Sequence, residues 1–487
     1  MLGCGGKWLD LEPGSGCSVE NMSTQDAAPE ITPAAGYVPG SNRGELFGPG
    51  RRSITIGVVL LISMVAFEAM GVGTAMPALV ASLGALSLYA WPFVAFMATG
   101  VLGTVLGGRW CDLAGPRLPL IVAPVLFAAG LLTAATAAGM PQLLVGRTLQ
   151  GLGAGSVTVA IYVLVGQVYP ERVRPAMFGL MSSAWVLPSL IGPPISGLVT
   201  ERLSWRWVFF GLVPVAALAL VLVVPAVRRL GPPDPNRVAA PKRRGLLLAA
   251  FGAAVGVAAL TWAGQKPDVT AAIVLLAALL VLVPAMRRLL PTGVFRSRRG
   301  IPTVVACRGL CAALFFTSNS YLPLMLTSTH HWSLAAAGSP LVVSSLGWSS
   351  VSWWQGRHPD LPRGRLLRIG FCLLFGGVLA LQLVAPSWGV PWLALPVWAF
   401  AGAGMGLVFP SVGFLLLRQS APGEVGFHTS AAQMSDQLGT ATMIGVGGAL
   451  LALLGSPALA MPVLLGMLAV IGLTGVAVAP RAVAPTT

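Results

Sequence analysis

Residues 107–117 read GGRWCDLAGPR, and residues 356–365 read GRHPDLPRGR. Gly108, Arg109, Asp112 and Arg117 recur 248 positions later as Gly356, Arg357, Asp360 and Arg365. Each copy sits between two apolar runs, so the same kind of turn closes the second and the tenth apolar run of the chain. That spacing implies two like halves in one orientation, the parallel-repeat arrangement of many transporters.

Working outward, a membrane-spanning helix needs about 20 mostly apolar residues to cross about 30 Å of hydrocarbon. Fourteen runs qualify, at 54–80, 87–108, 118–139, 141–168, 174–199, 206–227, 245–264, 269–286, 301–326, 333–355, 367–385, 390–417, 425–452 and 458–479. Basic stretches at 228–244 and 287–300 bracket the seventh and eighth runs. The implied organisation is a cytoplasmic, disordered tail (1–52), a first six-helix bundle (53–228), two extra helices with basic flanks (229–300), a second six-helix bundle (301–480) and a short cytoplasmic tail (481–487). No apolar run follows Lys7, so no signal peptide is expected, and Met22 is an alternative start.

Composition agrees with an all-α membrane protein. Only 9% of the 487 residues are charged, against about 25% in an ordinary soluble domain. Hydrophobic residues make up 55% and mean hydropathy is +0.82. A soluble fold of this size needs a more charged surface. The apolar content excludes disorder, and six cysteines exclude a disulfide scaffold.

The net charge of +15 raises the question of a nucleic-acid partner. Placing the N-terminus in the cytoplasm leaves Arg202, Arg206 and Lys266 outside and Arg147 and Arg308 within spans; the other 25 of 30 basic residues lie inside. That distribution is the positive-inside signal of topology. Nor are aromatic residues interleaved with the basic loops, as single-strand binding requires. No nucleic-acid partner is expected.

Several motifs carry a resemblance. The 107–117 segment resembles motif A of the major facilitator superfamily, specifically its 14-helix drug:proton antiporter branch, and the resemblance runs over about residues 53–480. Gly108, Asp112, Gly115 and Arg117 match; Trp110, Leu113 and Pro116 depart. Two glycines favour a tight turn, and the family uses this loop as a latch between conformations. Residues 146–155, GRTLQGLGAG, resemble motif B through Arg147, Gln150 and Gly151. The resemblance implies a part for Arg147 in proton coupling; snorkelling to the interface is the alternative. Residues 179–197, GLMSSAWVLPSLIGPPISG, resemble the antiporter motif C. Gly179, Gly192, Pro193 and Gly197 are in register, while Pro188 and Ser196 replace expected glycines. Small residues there let helices meet, and the Gly-Pro pair is expected to bend the helix. In the first span, Glu68 stands nine residues before Pro77, a spacing the branch shares.

Four charges fall within spans: Glu68, Arg147, Arg308 and Asp436. A carboxylate held away from water is costly to keep ionised and becomes readily protonated, which a proton-coupling site requires. Glu68 and Asp436 are therefore the candidate proton carriers, with Arg147. By family analogy they face one cavity from opposite halves, unless one of them is a structural partner of Arg147 or Arg308. Arg308 either balances Asp436 across the halves or snorkels. Phe67, Met70, Trp91, Met97, Tyr162, Trp185, Phe316, Asn319, Gln433 and Gln437 are the candidate cavity lining. Aromatic, Met and amide groups suit a large lipophilic ligand, cationic ones included.

No GxxxxGK[ST] loop indicates an ATP-driven pump. No nucleophile elbow or ligand cluster indicates an enzyme or a metal site. The expectation is a non-enzymatic, alternating-access transporter without a cofactor, in the cell membrane with both termini cytoplasmic and as a monomer. Its expected work is proton-coupled export of lipophilic or cationic small molecules. A dedicated transporter of one solute and a non-transporting receptor or scaffold are the alternatives.

Overall fold

The computed structural model describes residues 45–48, 51–170, 173–228, 245–266, 268–358, 361–421 and 424–483. The rest of both tails, most of the 228–244 linker, and Asp360 of the repeat lie outside the described residues. Those described are helical, with no strand among them.

Fifteen α-helices carry the architecture: α1 (Arg52–Ser82), α2 (Trp91–Ala114), α3 (Pro119–Ala135), α4 (Met140–Val168), α5 (Arg174–Ser183), α6 (Val186–Arg202), α7 (Val213–Arg228), α8 (Leu246–Ala263), α9 (Val269–Leu289), α10 (Ile301–His330), α11 (Ser339–Gly356), α12 (Arg363–Ala380), α13 (Ala394–Gln419), α14 (Val425–Leu454) and α15 (Pro457–Val478). Short helices Arg206–Phe210 and Leu334–Ala337 lead into α7 and α11. Among the described residues, thirteen helical segments are long and apolar enough to cross a membrane, and α3 is a shorter apolar helix. Proline opens α2, α3, α4, α10, α11 and α15, where its missing N–H costs nothing. Asp268 caps α9 by accepting from the Ala271 N–H at 2.6 Å.

Three expectations change. The fifth apolar run is not one helix: it breaks at Ala184–Trp185 between α5 and α6. The cause is Pro188, which cannot donate to the Ala184 carbonyl four residues back and whose ring crowds that carbonyl. The interruption is thus set by the proline that replaces a motif glycine, while Pro193 lies inside the continuous α6. Second, α2 runs on to Ala114, so Gly108, Arg109 and Asp112 are on its last turns; the turn itself rests on Gly115, at φ 74°. Third, parts of the expected tails are packed. Leu46 is buried and its carbonyl accepts from Thr55 Oγ1 at 2.6 Å. At the other end, Arg481 O accepts from Gly300 N and Ala482 O from Gln419 Nε2, both at 2.9 Å.

Within the first half, α4 packs against α2 and α3, and α1 against α6 and α7; within the second, α13 packs against α11 and α12, and α10 against α14 and α15. Glycines make the first contact close. A Cβ at Gly103 or Gly107 would strike the α4 backbone, and one at Gly151 or Gly155 the α2 backbone. The halves meet through α2 against α14, α6 against α11 and α1 against α10. Helix α8 leans on both α2 and α14, whereas α9 packs chiefly on α8.

Candidate functional site

The contacts that join the halves begin at the end of the bundle that carries the turns at 83–90, 203–205 and 331–338. Tyr89 donates to Ser320 O at 2.7 Å, and its ring lies 5.3 Å from that of Tyr321. Tyr321 in turn donates to Ile444 O at 2.6 Å. Ala335 N donates to Glu201 Oε1 at 3.1 Å, and a side chain at Gly197 would collide with Ala335. Pro193 lies beside Gly338 of the other half, and Gly192 meets Gly71 of α1. Three of the four motif C residues therefore do the close packing expected of them. Gly179 does not: among the described residues nothing stands near enough to meet a side chain there.

At mid-depth in α1, Glu68 accepts from Arg147 of α4. The guanidinium also donates to Gln150 Oε1 at 2.8 Å and, through Nε, to the Pro92 carbonyl at 3.0 Å. It lies 4.6 Å from the Phe96 ring centre. The two side chains are 2% and 0% exposed. Glu68 Oε2 and Gln150 Nε2 have no hydrogen-bond partner among the described residues. The expectation of an isolated acid at Glu68 is thus replaced by an ion pair. Arg147 does not snorkel, because it is enclosed by three groups that take its donors and one ring that takes its face.

A second pair lies in the other half. Arg308 Nε donates to Asp436 Oδ2 at 3.0 Å, joining α10 to α14, with side chains 15% and 12% exposed. The Arg308 guanidinium stands 3.3 Å from the Phe409 ring centre. Arg308 does balance Asp436, but within one half rather than across the halves. Tyr162 of α4 is 46% exposed.

The remaining candidates divide. Tyr162 pairs with the Phe178 ring and Trp185 is exposed at the α5–α6 break. Gln437 lies against Gly100 of the facing half, with its Oε1 unpartnered among the described residues. Gln433, Phe67 and Met97 are partly buried. Three residues are tied into the fold: Asn319 accepts from the buried Trp398 indole at 2.6 Å, Trp91 donates to Gln265 in the turn after α8 at 3.1 Å, and Phe316 packs edge-on to Phe315. Met70 is buried. Asp112 and Arg117 are exposed at the far end of α2 and the turn after it. Sequence reasoning missed Phe409, Tyr89, Gln265 and Trp398. Single aromatic or amide residues in apolar runs carry no spacing signal, and each gains its role from a partner far along the chain.

Known proteins agree with this architecture. The "Acurin A biosynthesis cluster MFS-type transporter" of Aspergillus aculeatus is 31% identical over 215 residues, 43% of this chain and 38% of that one. The "Multidrug transporter protein MdtP" of Bacillus subtilis is 24% identical over 418 residues, 81% of this chain and 75% of that one. The chain thus spans well under half the length of the first relative. Among solved structures, a POT family transporter in complex with a thioalcohol-conjugated peptide superposes with a TM-score of 0.64, covering 88% of this chain and 96% of that one. At 16% identity that likeness concerns the fold alone. A family model described as the Major Facilitator Superfamily matches residues 58–442, and this chain of two helical halves belongs to the major facilitator superfamily.

Proposed function

We propose that this protein exports lipophilic or cationic small molecules by proton antiport, working by alternating access in the plasma membrane with both termini cytoplasmic. The observation that carries the reading is the enclosed Glu68–Arg147 pair. A buried ion pair adds little net stability, because desolvation offsets attraction, and intramembrane charges mark ion pathways by default. Protonation of Glu68 removes its attraction for Arg147. The guanidinium keeps Gln150, the Pro92 carbonyl and Phe96, so α4 and α2 stay joined while α1 is released. Halves joined at one end by Tyr89, Glu201 and Gly197 suit such a cycle. The more accessible Asp436 offers a negative charge for which a ligand cation competes with Arg308, and the surrounding aromatics suit a poorly specified apolar body. The multidrug name of the Bacillus relative supports this substrate class.

The test is transport in proteoliposomes with an imposed proton gradient and a panel of lipophilic cations. Wild-type protein should exchange protons for several of them, and Glu68→Gln should lose that exchange while inserting normally. Transport by Glu68→Gln at the wild-type rate would defeat the coupling role. A second reading, dedicated export of one metabolite, is favoured by the Aspergillus relative's naming for a biosynthesis cluster. It prevails where a single metabolite moves protons and the cation panel does not.

A further inference from the structure

The inserted helices α8 and α9 enclose an outward-facing groove of about 440 Å³. It is walled by Leu248, Phe251 and Val255 on one helix and Val281 and Pro284 on the other, and Gly252 forms part of its floor. The wall residues recur three, four and seven positions apart, so the groove follows both helix axes for about 10 Å. It exists because small residues meet there: a Cβ on Gly252 would touch Val281 and Ala285. Apart from this face, α9 turns its large apolar side chains outward, among them Ile273, Leu276 and Leu280.

One charged residue lines the groove. Arg288, in the last turn of α9, stands at its mouth and reaches over to Gly245 at the start of α8. It is exposed and, among the described residues, makes no ion pair or hydrogen bond. Arg287 precedes it, and Arg296, Arg298 and Arg299 follow in the next turns. An apolar slot between two membrane helices that ends at an exposed arginine on the basic side of the bundle fits one chemistry, a hydrocarbon chain ending in an anionic headgroup.

We propose that the α8–α9 groove is a binding site for an anionic phospholipid, with an acyl chain lying over Gly252 and the phosphate at Arg288. The site lies outside the transport pathway and does not depend on the substrate or coupling reading. The extra helix pair would then anchor the bundle to a selected lipid as well as widen it. Apolar walls accept any acyl chain, so selectivity resides in the charge at the mouth.

The experiment reconstitutes the full chain in nanodiscs of mixed phosphatidylglycerol and phosphatidylcholine with matched acyl chains. Lipids retained after detergent extraction are counted by native mass spectrometry. Wild-type protein should keep phosphatidylglycerol over phosphatidylcholine. Arg288→Gln should lower that preference about fivefold, the share one arginine contributes near a charged surface. Gly252→Leu, which fills the floor, should lower retention of both lipids. Arg418→Gln, at the end of α13 and away from the groove, should change neither. A monodisperse elution profile checks that each variant is folded. Equal retention of the two lipids by wild-type protein, or an unchanged preference in Arg288→Gln, overturns the proposal. So does displacement of the retained lipid by glycerol phosphate at low concentration, because the site would then be for a free anion.

Discussion

Each half of the bundle holds an arginine–carboxylate pair at depth, Arg147–Glu68 and Arg308–Asp436, and these two pairs differ in enclosure. Arg147 is fixed by Glu68, Gln150, the Pro92 carbonyl and the face of Phe96. Arg308 has Asp436 and Phe409, and both members of the pair keep some exposure. The chemistry is the same, but the surroundings set its consequences. In the enclosed pair, taking either charge away leaves the other without water to replace it. In the open pair, solvent or a ligand takes the vacated position. The first arrangement suits a two-position element that a proton changes, and the second suits a place where ligands exchange.

This contrast is open to direct tests. The largest effect is expected for Arg147→Met, which strands the Glu68 carboxyl and should cost about 3–5 kcal/mol of stability, read as a lowered unfolding temperature in detergent. Adding Glu68→Gln to Arg147→Met should restore much of it, since removing both charges avoids the stranded group. If the double variant is as unstable as the single one, the pair is not an energetic unit. Asp436→Asn should cost less, about 2 kcal/mol, because the pair keeps 12–15% side-chain exposure and the amide can still accept from Arg308. A loss there matching that of Arg147→Met would erase the proposed difference between the halves. The smallest change is expected for Phe409→Leu, which removes the ring beneath Arg308 and should cost about 0.5–1 kcal/mol at a partly exposed site. Scanning calorimetry of the purified variant against wild type would read it, and no shift would mean that the ring merely packs.

The positions of these groups along the chain were legible in the sequence, but their partners were not. Charge is so scarce in the apolar runs that Glu68, Arg147, Arg308 and Asp436 stand out by inspection. Which acid meets which arginine depends on how helices 79 and 128 residues apart in sequence lie together, and no local period encodes that. Motif B was informative beyond its own helix, because Arg147 and Gln150 sit three residues apart on one face and act together. Motif C was partly misleading. Proline at 188 reads as a lost glycine, yet it is the residue that interrupts the fifth run.

The sequence by itself determined that the chain is a helical membrane protein and where most of its spans lie within a few residues. Length and hydrophobicity settle those matters, because a backbone in hydrocarbon must satisfy its own hydrogen bonds and helices are the local way to do so. Only the tertiary structure decided that each intramembrane acid has an arginine within its own half, that tyrosines tie the halves at one end, and that Arg288 closes a groove between the inserted helices. Those facts follow from packing between distant segments, where the glycines of α2, α4 and α8 set how closely backbones approach and so which side chains come within reach of one another.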